Sequence, residues 1–252
     1  MLSDQLQALL NLVLEAGDSA KEQFLESGYE LKGDGTLVTE TDRRIESFFR
    51  KRLGEVAPGA SIWGEEEGFA EPTEEGLWLI DPIDGTTNFA YGIPLWGVTV
   101  GLYRGGEIVM GAMCLPMLNE WIAAEKGKGA YRNGTQLPKL RPGGIEPWEP
   151  VGFGDLSLLS QVRFPGKVRH MGAFVIESHG FLTQGLRAQG TSSLCLYDAA
   201  CGIIAAREIG AELVHFDGEP FRESQWVAPT GVKPFFFLPP DCPWRPERAA
   251  RS

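Results

Sequence analysis

The chain has 252 residues, 43% of them hydrophobic and 23% charged, enough to bury a sizeable core in one large domain or two small ones. Its net charge of −11 excludes a general nucleic-acid binder, which needs a basic face, but not an anionic substrate, because bound divalent cations reverse the sign locally. No apolar run approaches the roughly 20 residues of a membrane-spanning helix, the four cysteines form no CxxC pair, and the three histidines show no zinc spacing.

The opening MLSDQLQ lacks the basic-then-apolar pattern of a signal peptide, so a soluble, cytoplasmic protein with reduced thiols is expected. Leu6, Leu9, Leu10, Val13 and Leu14, then Phe24 and Leu25, recur at helical spacing and predict an amphipathic helix over 4–27. Gly-Asp-Gly punctuation in 28–38 predicts a turn between two short strands, where Lys32 reads as a solvated lysine. Thr39 is the expected N-cap of a second helix carrying Ile45, Phe48, Phe49 and Leu53, and Asp42 falls in its first turn, where an acid complements the helix dipole. SIWGEEEG, 61–68, reads as a short strand breaking into an acidic turn, and a run of glutamates is ordinarily a solvated surface.

Leu77-Trp78-Leu79-Ile80 predicts a short buried strand, followed by Asp81, Pro82, Ile83, Asp84 and a Gly85-Thr86-Thr87 turn. Two carboxylates three residues apart suit hard, oxygen-seeking cations. The Gly-Thr-Thr that follows suits a phosphate, because free N–H groups at a helix start attract anions. By itself, DxxDGT reads equally as a solvated turn or a calcium loop. Strands at 95–103, 107–115 and 120–125, joined by turns at 104–106 and 116–119, predict an antiparallel meander, with an Asn-Gly corner in 126–134.

The Pro- and Gly-rich stretch 138–154 divides the chain into an N-terminal lobe, 1–137, with the carboxylate loop, and a C-terminal α/β lobe, 138–252, of one compact domain. A strand over 167–172 ends at Gly172 and a helix follows over 173–184, so the Gly172–Ala173 junction offers further backbone N–H groups to a substrate. Leu194, Leu196 and Tyr197 read as a strand, with Asp198 capping a helix that runs to about Glu208. Gly210 ends that helix, a strand follows over 211–216, and the Pro- and Arg-rich 239–252 reads as a frayed tail.

DPIDGTTNF closely resembles the signature of the inositol monophosphatase family, the magnesium-dependent, lithium-sensitive sugar-phosphate phosphatases. The resemblance covers about 30–220 and is strongest at 32–42, 62–66, 77–94 and 192–215. It implies a mixed α/β fold, a layered α-β-α-β-α sandwich like that of inositol monophosphatase and fructose-1,6-bisphosphatase, commonly a homodimer. It implies that Glu65, Asp81, the Ile83 carbonyl, Asp84 and Asp198 hold the metal, that Asp42 lies in the active site, and that Glu66 and Glu67 stay at the surface or behind Glu65. Tyr197 stands where the family typically has Trp, and Cys201 where it usually has Ala.

That ligand set is all oxygen, which selects Mg2+, or Mn2+, over zinc, with two or three ions by analogy. The implied reaction is in-line attack of a metal-activated water on a small phosphorylated metabolite, with no covalent enzyme intermediate. Glu65 would deprotonate or position the water, and Thr86, held by Asp42, would orient it. Gly85 and Thr86 amides would hold the phosphate, with Asp84, Gly172, Ala173, Thr191 and Asp198 around the substrate. In the family, a carboxylate at the position of Thr191 contacts the sugar hydroxyls. Inositol 1-phosphate is the first expectation, and histidinol phosphate or fructose 1,6-bisphosphate the alternatives. Thr87-Asn88 argues against the nucleotide-specific branch. A regulatory binding protein with an incidental metal site is the expectation of another class.

Overall fold

Ser3 accepts the Leu6 amide and opens α1 (Asp4–Gln23), which buries Leu6, Leu9, Leu10, Val13, Ala16 and Ala20 on one face. Each fully buried leucine or valine there is worth about 1.5–3 kcal/mol over exposure. In this computed structural model, which describes residues 1–154, 162, 164–192 and 194–245, the helix stops short of the expected 27. Phe24 turns to extended backbone and Leu25 takes a φ of 75°. β1 (Tyr29–Leu31) and β2 (Leu37–Thr39) form the expected hairpin. Thr39 then caps α2 (Glu40–Arg52) in a reciprocal box with Asp42, each satisfying a backbone N–H at the other's position.

The first sheet holds seven strands in the order β3-β4-β5-β6-β7-β8-β9. They are β3 (Ser61–Gly64), β4 (Leu77–Asp84), β5 (Gly97–Arg104), β6 (Glu107–Leu115), β7 (Glu120–Glu125), β8 (Gly129–Arg132) and β9 (Thr135–Gln136). The meander from β4 to β9 is antiparallel throughout, and β3 runs parallel to β4. Both faces of β4 are covered, which is why its sequence is continuously apolar. Trp78 and Ile80 pack toward α1 and α2; Leu77 and Leu79 pack the other way. One expectation is corrected here: β4 does not end before Asp81 but continues through Asp84, with its register to β5 shifting between those two residues.

The second sheet has the order β11-β10-β12-β14-β13, from β10 (Pro150–Phe153), β11 (Lys167–Arg169), β12 (Ala188–Thr191), β13 (Glu212–His215) and β14 (Phe235–Leu238). β10 lies inside the stretch read as a loop, and β14 was not anticipated. Alternation in Phe235-Phe236-Phe237-Leu238 splits them between two clusters. Between the sheets lie α4 (Phe174–Leu182) and α5 (Leu196–Glu208), after a short α3 (Thr86–Ala90). Helices, sheet, helices and sheet thus stack as the first four layers of the expected α-β-α-β-α order, and the fifth, helical layer is not among the described residues. The outer face of the second sheet is covered, among the described residues, by Ile145, Val162, Phe164 and Trp244. No described helix is long and apolar enough to cross a membrane.

Two C-terminal expectations are corrected. Leu196 and Tyr197 are the first turn of α5, not a strand, and Asp198 is not its cap. Cys195 occupies the cap, and the Asp198 carboxylate accepts the Cys195 amide at 2.6 Å from within the first turn. The tail is packed as far as it is described: Cys242 is buried and Arg245 pairs with Glu212 at 2.7 Å. Residues 246–252 lie outside the described part.

Candidate active site

Strand periodicity and one irregularity position the central carboxylates. Residues 77, 79 and 81 point to one face of β4, so Asp81 is delivered to the α5 side, 3% exposed. Strict alternation would put Ile83 there too. The register shift instead turns its side chain into the α1/α2 cluster. The Asp81 carboxylate accepts the Ile83 amide at 3.1 Å and fixes this kink. Gly85 follows with a φ of 92°, and an added Cβ would lie 2.8 Å from the Ala173 methyl and 3.1 Å from the Leu95 carbonyl. Only glycine lets the loop turn that closely past α4. The Thr86 hydroxyl donates to the Ile83 carbonyl at 3.0 Å and reaches Asp42 at 3.3 Å.

Asp84 has a structural task that the sequence did not announce. Ala173, the N-cap of α4, contributes no side-chain cap. The Asp84 carboxylate takes that place from another segment, accepting the Phe174 amide at 3.1 Å and the Val175 amide as well. Asn88 adds a second clamp, donating to the Leu95 carbonyl at 2.6 Å and the Met171 carbonyl at 2.9 Å. These bonds tie the β4–α3 loop to α4.

Glu65 is held through its neighbours. Glu46 of α2 is fully buried and accepts the amides of Glu66 at 2.7 Å and Glu67 at 3.0 Å, while Arg50 pairs with it at 2.7 Å. An added Cβ at Gly64 would collide with that carboxylate. Lys32 is not the solvated lysine expected: it bridges Glu65 at 2.8 Å and Glu66 at 2.6 Å. Glu66 is correspondingly no simple surface residue. Burial raises its carboxyl to about 7, against the pull of Lys32.

Asp198 is delivered by α5, which lies on the first sheet because glycines let it approach. A Cβ on Gly111 of β6 would come within 2.8 Å of Cys201, and one on Gly101 of β5 would strike Ala200. Small residues on both sides thus seat α5 against the first sheet, with Asp198 in its first turn lining the same cavity as Asp81.

Glu65, Asp81, Ile83, Asp84, Gly85, Thr86, Gly172, Ala173, Thr191 and Asp198 all line one cavity of about 620 Å³. Asp42 sits behind it, through Thr86. Thr87 and Asn88 of the same loop line the cavity too, as do Thr36, Gly154 and His170, which sequence reasoning missed as site residues. His170 had no partner spacing to mark it, and Gly154 lay in a stretch without periodicity. Glu46 could have been suspected only as an acid on the apolar face of α2.

Desolvation and mutual repulsion dominate the electrostatics. Burial, then the charges of Glu65, Asp84 and Asp198, push Asp81 well above the carboxylate range. Burial followed by Glu65 and Asp84 does the same to Asp198. Burial raises Asp84 to about 7 and Asp42 to about 6 against the hydrogen bonds each accepts, and raises Glu177 behind the cavity to about 8. As they stand, no three of the described carboxylate, thiol or imidazole side chains close into a ready ion cage. Each carboxylate is turned to a neighbour: Lys32 for Glu65, backbone amides for Asp81, Asp84 and Asp198. The donor set still fits a hard divalent cation, being wholly oxygen, gathered on one cavity and short of positive charge.

Comparison with known proteins follows this geometry. Residues 1–233 match the family model described as the inositol monophosphatase family. An inositol-1-monophosphatase of Mesorhizobium japonicum is 30% identical over 241 residues, covering 84% of this chain and 86% of its own. A histidinol-phosphatase of Mycobacterium tuberculosis is 30% identical over 233 residues, covering 86% and 90%. Among solved structures, a Thermotoga maritima IMPase superposes with a TM-score of 0.81 at 24% identity, covering 94% of this chain and 92% of that one.

Proposed function

The chain belongs to the inositol monophosphatase family of phosphoric monoester hydrolases, and on that premise we propose that it hydrolyses inositol 1-phosphate to inositol and phosphate with Mg2+. The observation that carries this reading is the single cavity lined at once by four acids, the Thr86 hydroxyl and the glycine-threonine loop. Glu65, Asp81, Asp84, Asp198 and the Ile83 carbonyl would hold the cation, and Mn2+ would suit the same oxygens. Bound there, the metal would supply Lewis acidity to the phosphoryl oxygens, a more acidic water and charge for the departing alkoxide. Glu65 would take the proton of the attacking water. Thr86, anchored on the Ile83 carbonyl and Asp42, would orient that water, and Gly85 and Thr86 would hold the phosphate. A second reading, histidinol phosphate, is favoured by the histidinol-phosphatase that is as similar to this chain as the inositol enzyme.

Phosphate release by the purified protein with Mg2+ tests both. Inositol 1-phosphate, histidinol phosphate, fructose 1,6-bisphosphate and adenosine 3′,5′-bisphosphate are compared in parallel, and inositol 1-phosphate is expected to dominate. Dominance of histidinol phosphate would replace the first reading with the second.

Metal removal gives a separate readout. A cation relieving the repulsion among Asp81, Asp84 and Asp198 stabilises the folded chain. At a hundred times its Kd, Mg2+ is expected to add about 2.7 kcal/mol, a rise in Tm of roughly 5–10 °C for a chain of this size. EDTA and Asp81→Asn should each abolish the rise, and NaCl at matched ionic strength should not produce it. A Tm indifferent to Mg2+ would remove the metal from this site.

A further inference from the structure

His170 lies between β11 and α4 and lines the catalytic cavity. Its Nδ1 stands 2.7 Å from the Phe153 carbonyl and 3.8 Å from a carboxylate oxygen of Glu177. A carbonyl can only accept, so Nδ1 carries the proton. In the neutral ring Nε2 is then left as an acceptor. Glu177 is completely buried. One of its oxygens accepts the Met171 amide at 3.1 Å, next to His170 in the chain; the other has no hydrogen-bond partner among the described residues. That second oxygen lies directly behind Gly154: a Cβ there would be 3.4 Å from it and 3.2 Å from the Thr191 hydroxyl. A buried carboxyl with an unsatisfied oxygen is costly, and its place beside the cavity wall ties that cost to the site rather than to the core.

We infer that His170 is a specificity-determining residue, reading a hydroxyl of the substrate's alcohol portion through Nε2, with the Thr191 hydroxyl as its companion. The inference rests on the phosphatase reading above and narrows its substrate class to polyol phosphates. The chemistry at this wall selects a neutral donor. Among the described residues, the stretch of wall made by Gly154, His170 and Thr191 presents no carboxylate, and Glu177 is sealed behind Gly154. Thr191 stands at the position of a sugar-binding carboxylate in the family. An imidazole and a hydroxyl here take over the task of reading hydroxyls.

The test compares myo-inositol 1-phosphate with cyclohexyl phosphate, the same ring without hydroxyls, in wild type, His170→Ala and His170→Gln. Wild type is expected to prefer the inositol ester. His170→Ala should raise KM for that ester about tenfold, the scale of one hydrogen bond, with kcat nearly unchanged and cyclohexyl phosphate unaffected. His170→Gln, whose amide reaches toward the Nε2 position, should recover much of the loss. Equal losses on both esters, or none on either, would overturn the inference, as would a wild type that hydrolyses both esters without preference. A wild type inert to both esters and to the rest of the panel would instead overturn the phosphatase reading, and the inference with it.

Discussion

Asp84→Asn is expected to lower kcat for phosphate release by about three orders of magnitude at saturating Mg2+, while the protein melts within a few degrees of wild type. The two halves of this expectation come from the two roles of one carboxylate. As a cap, Asp84 gives one oxygen to the Phe174 amide and the other to the Val175 amide, and asparagine keeps an acceptor for one of the two, at a cost of about 1–2 kcal/mol. As the cation ligand proposed above it would need charge, which asparagine lacks. Loss of a formal charge from the proposed cation site would remove several kcal/mol of transition-state stabilisation, at 1.36 kcal/mol per tenfold in rate. Phosphate release and thermal melting on the same preparation check it. Near-wild-type turnover would sink the assignment of Asp84 to the cation. A collapsed melt beside lost turnover would show that capping α4 is its larger task.

The second large effect is expected far from any substrate atom. Glu46→Ala should destabilise the protein by about 3 kcal/mol, lowering Tm by roughly 6–12 °C. The deletion leaves Arg50 half-buried beside no partner on its own helix and strips the Glu66 and Glu67 amides of their acceptor. Glu65 precedes those amides in the chain, so kcat/KM should fall even at temperatures where the variant is folded. Glu46→Gln, which keeps one acceptor, should recover part of both. Unchanged kcat/KM in folded Glu46→Ala would separate the turn from the chemistry.

Much of the architecture was legible because it rests on short-range rules. The leucines of α1 recur at helical spacing, Thr39 caps α2 with Asp42 three residues on, and the hairpin turns delimit β5, β6 and β7. What misread was equally local. Leu194, Leu196 and Tyr197 read as a strand by composition, yet the Asp198 carboxylate on the Cys195 amide starts the helix there. β10 and β14 hid among prolines and glycines because central strands take their stability from partners that the local sequence does not display.

The sequence by itself determined which side chains are available to this site and their chemical kind. The acids at 42, 65, 81, 84 and 198, the glycine-threonine turn and the family signature are all written in short motifs. Only the tertiary structure decided what each of them does. Through-space hydrogen bonds made Asp84 the cap of α4, buried Glu46 the support of the Glu65 turn, and set His170 on the cavity wall. These partners lie 20 to 91 residues apart, except that His170 meets Phe153 across 17. Helical and strand periodicities extend over a few residues only, so such pairings are fixed by how layers stack and not by local propensity.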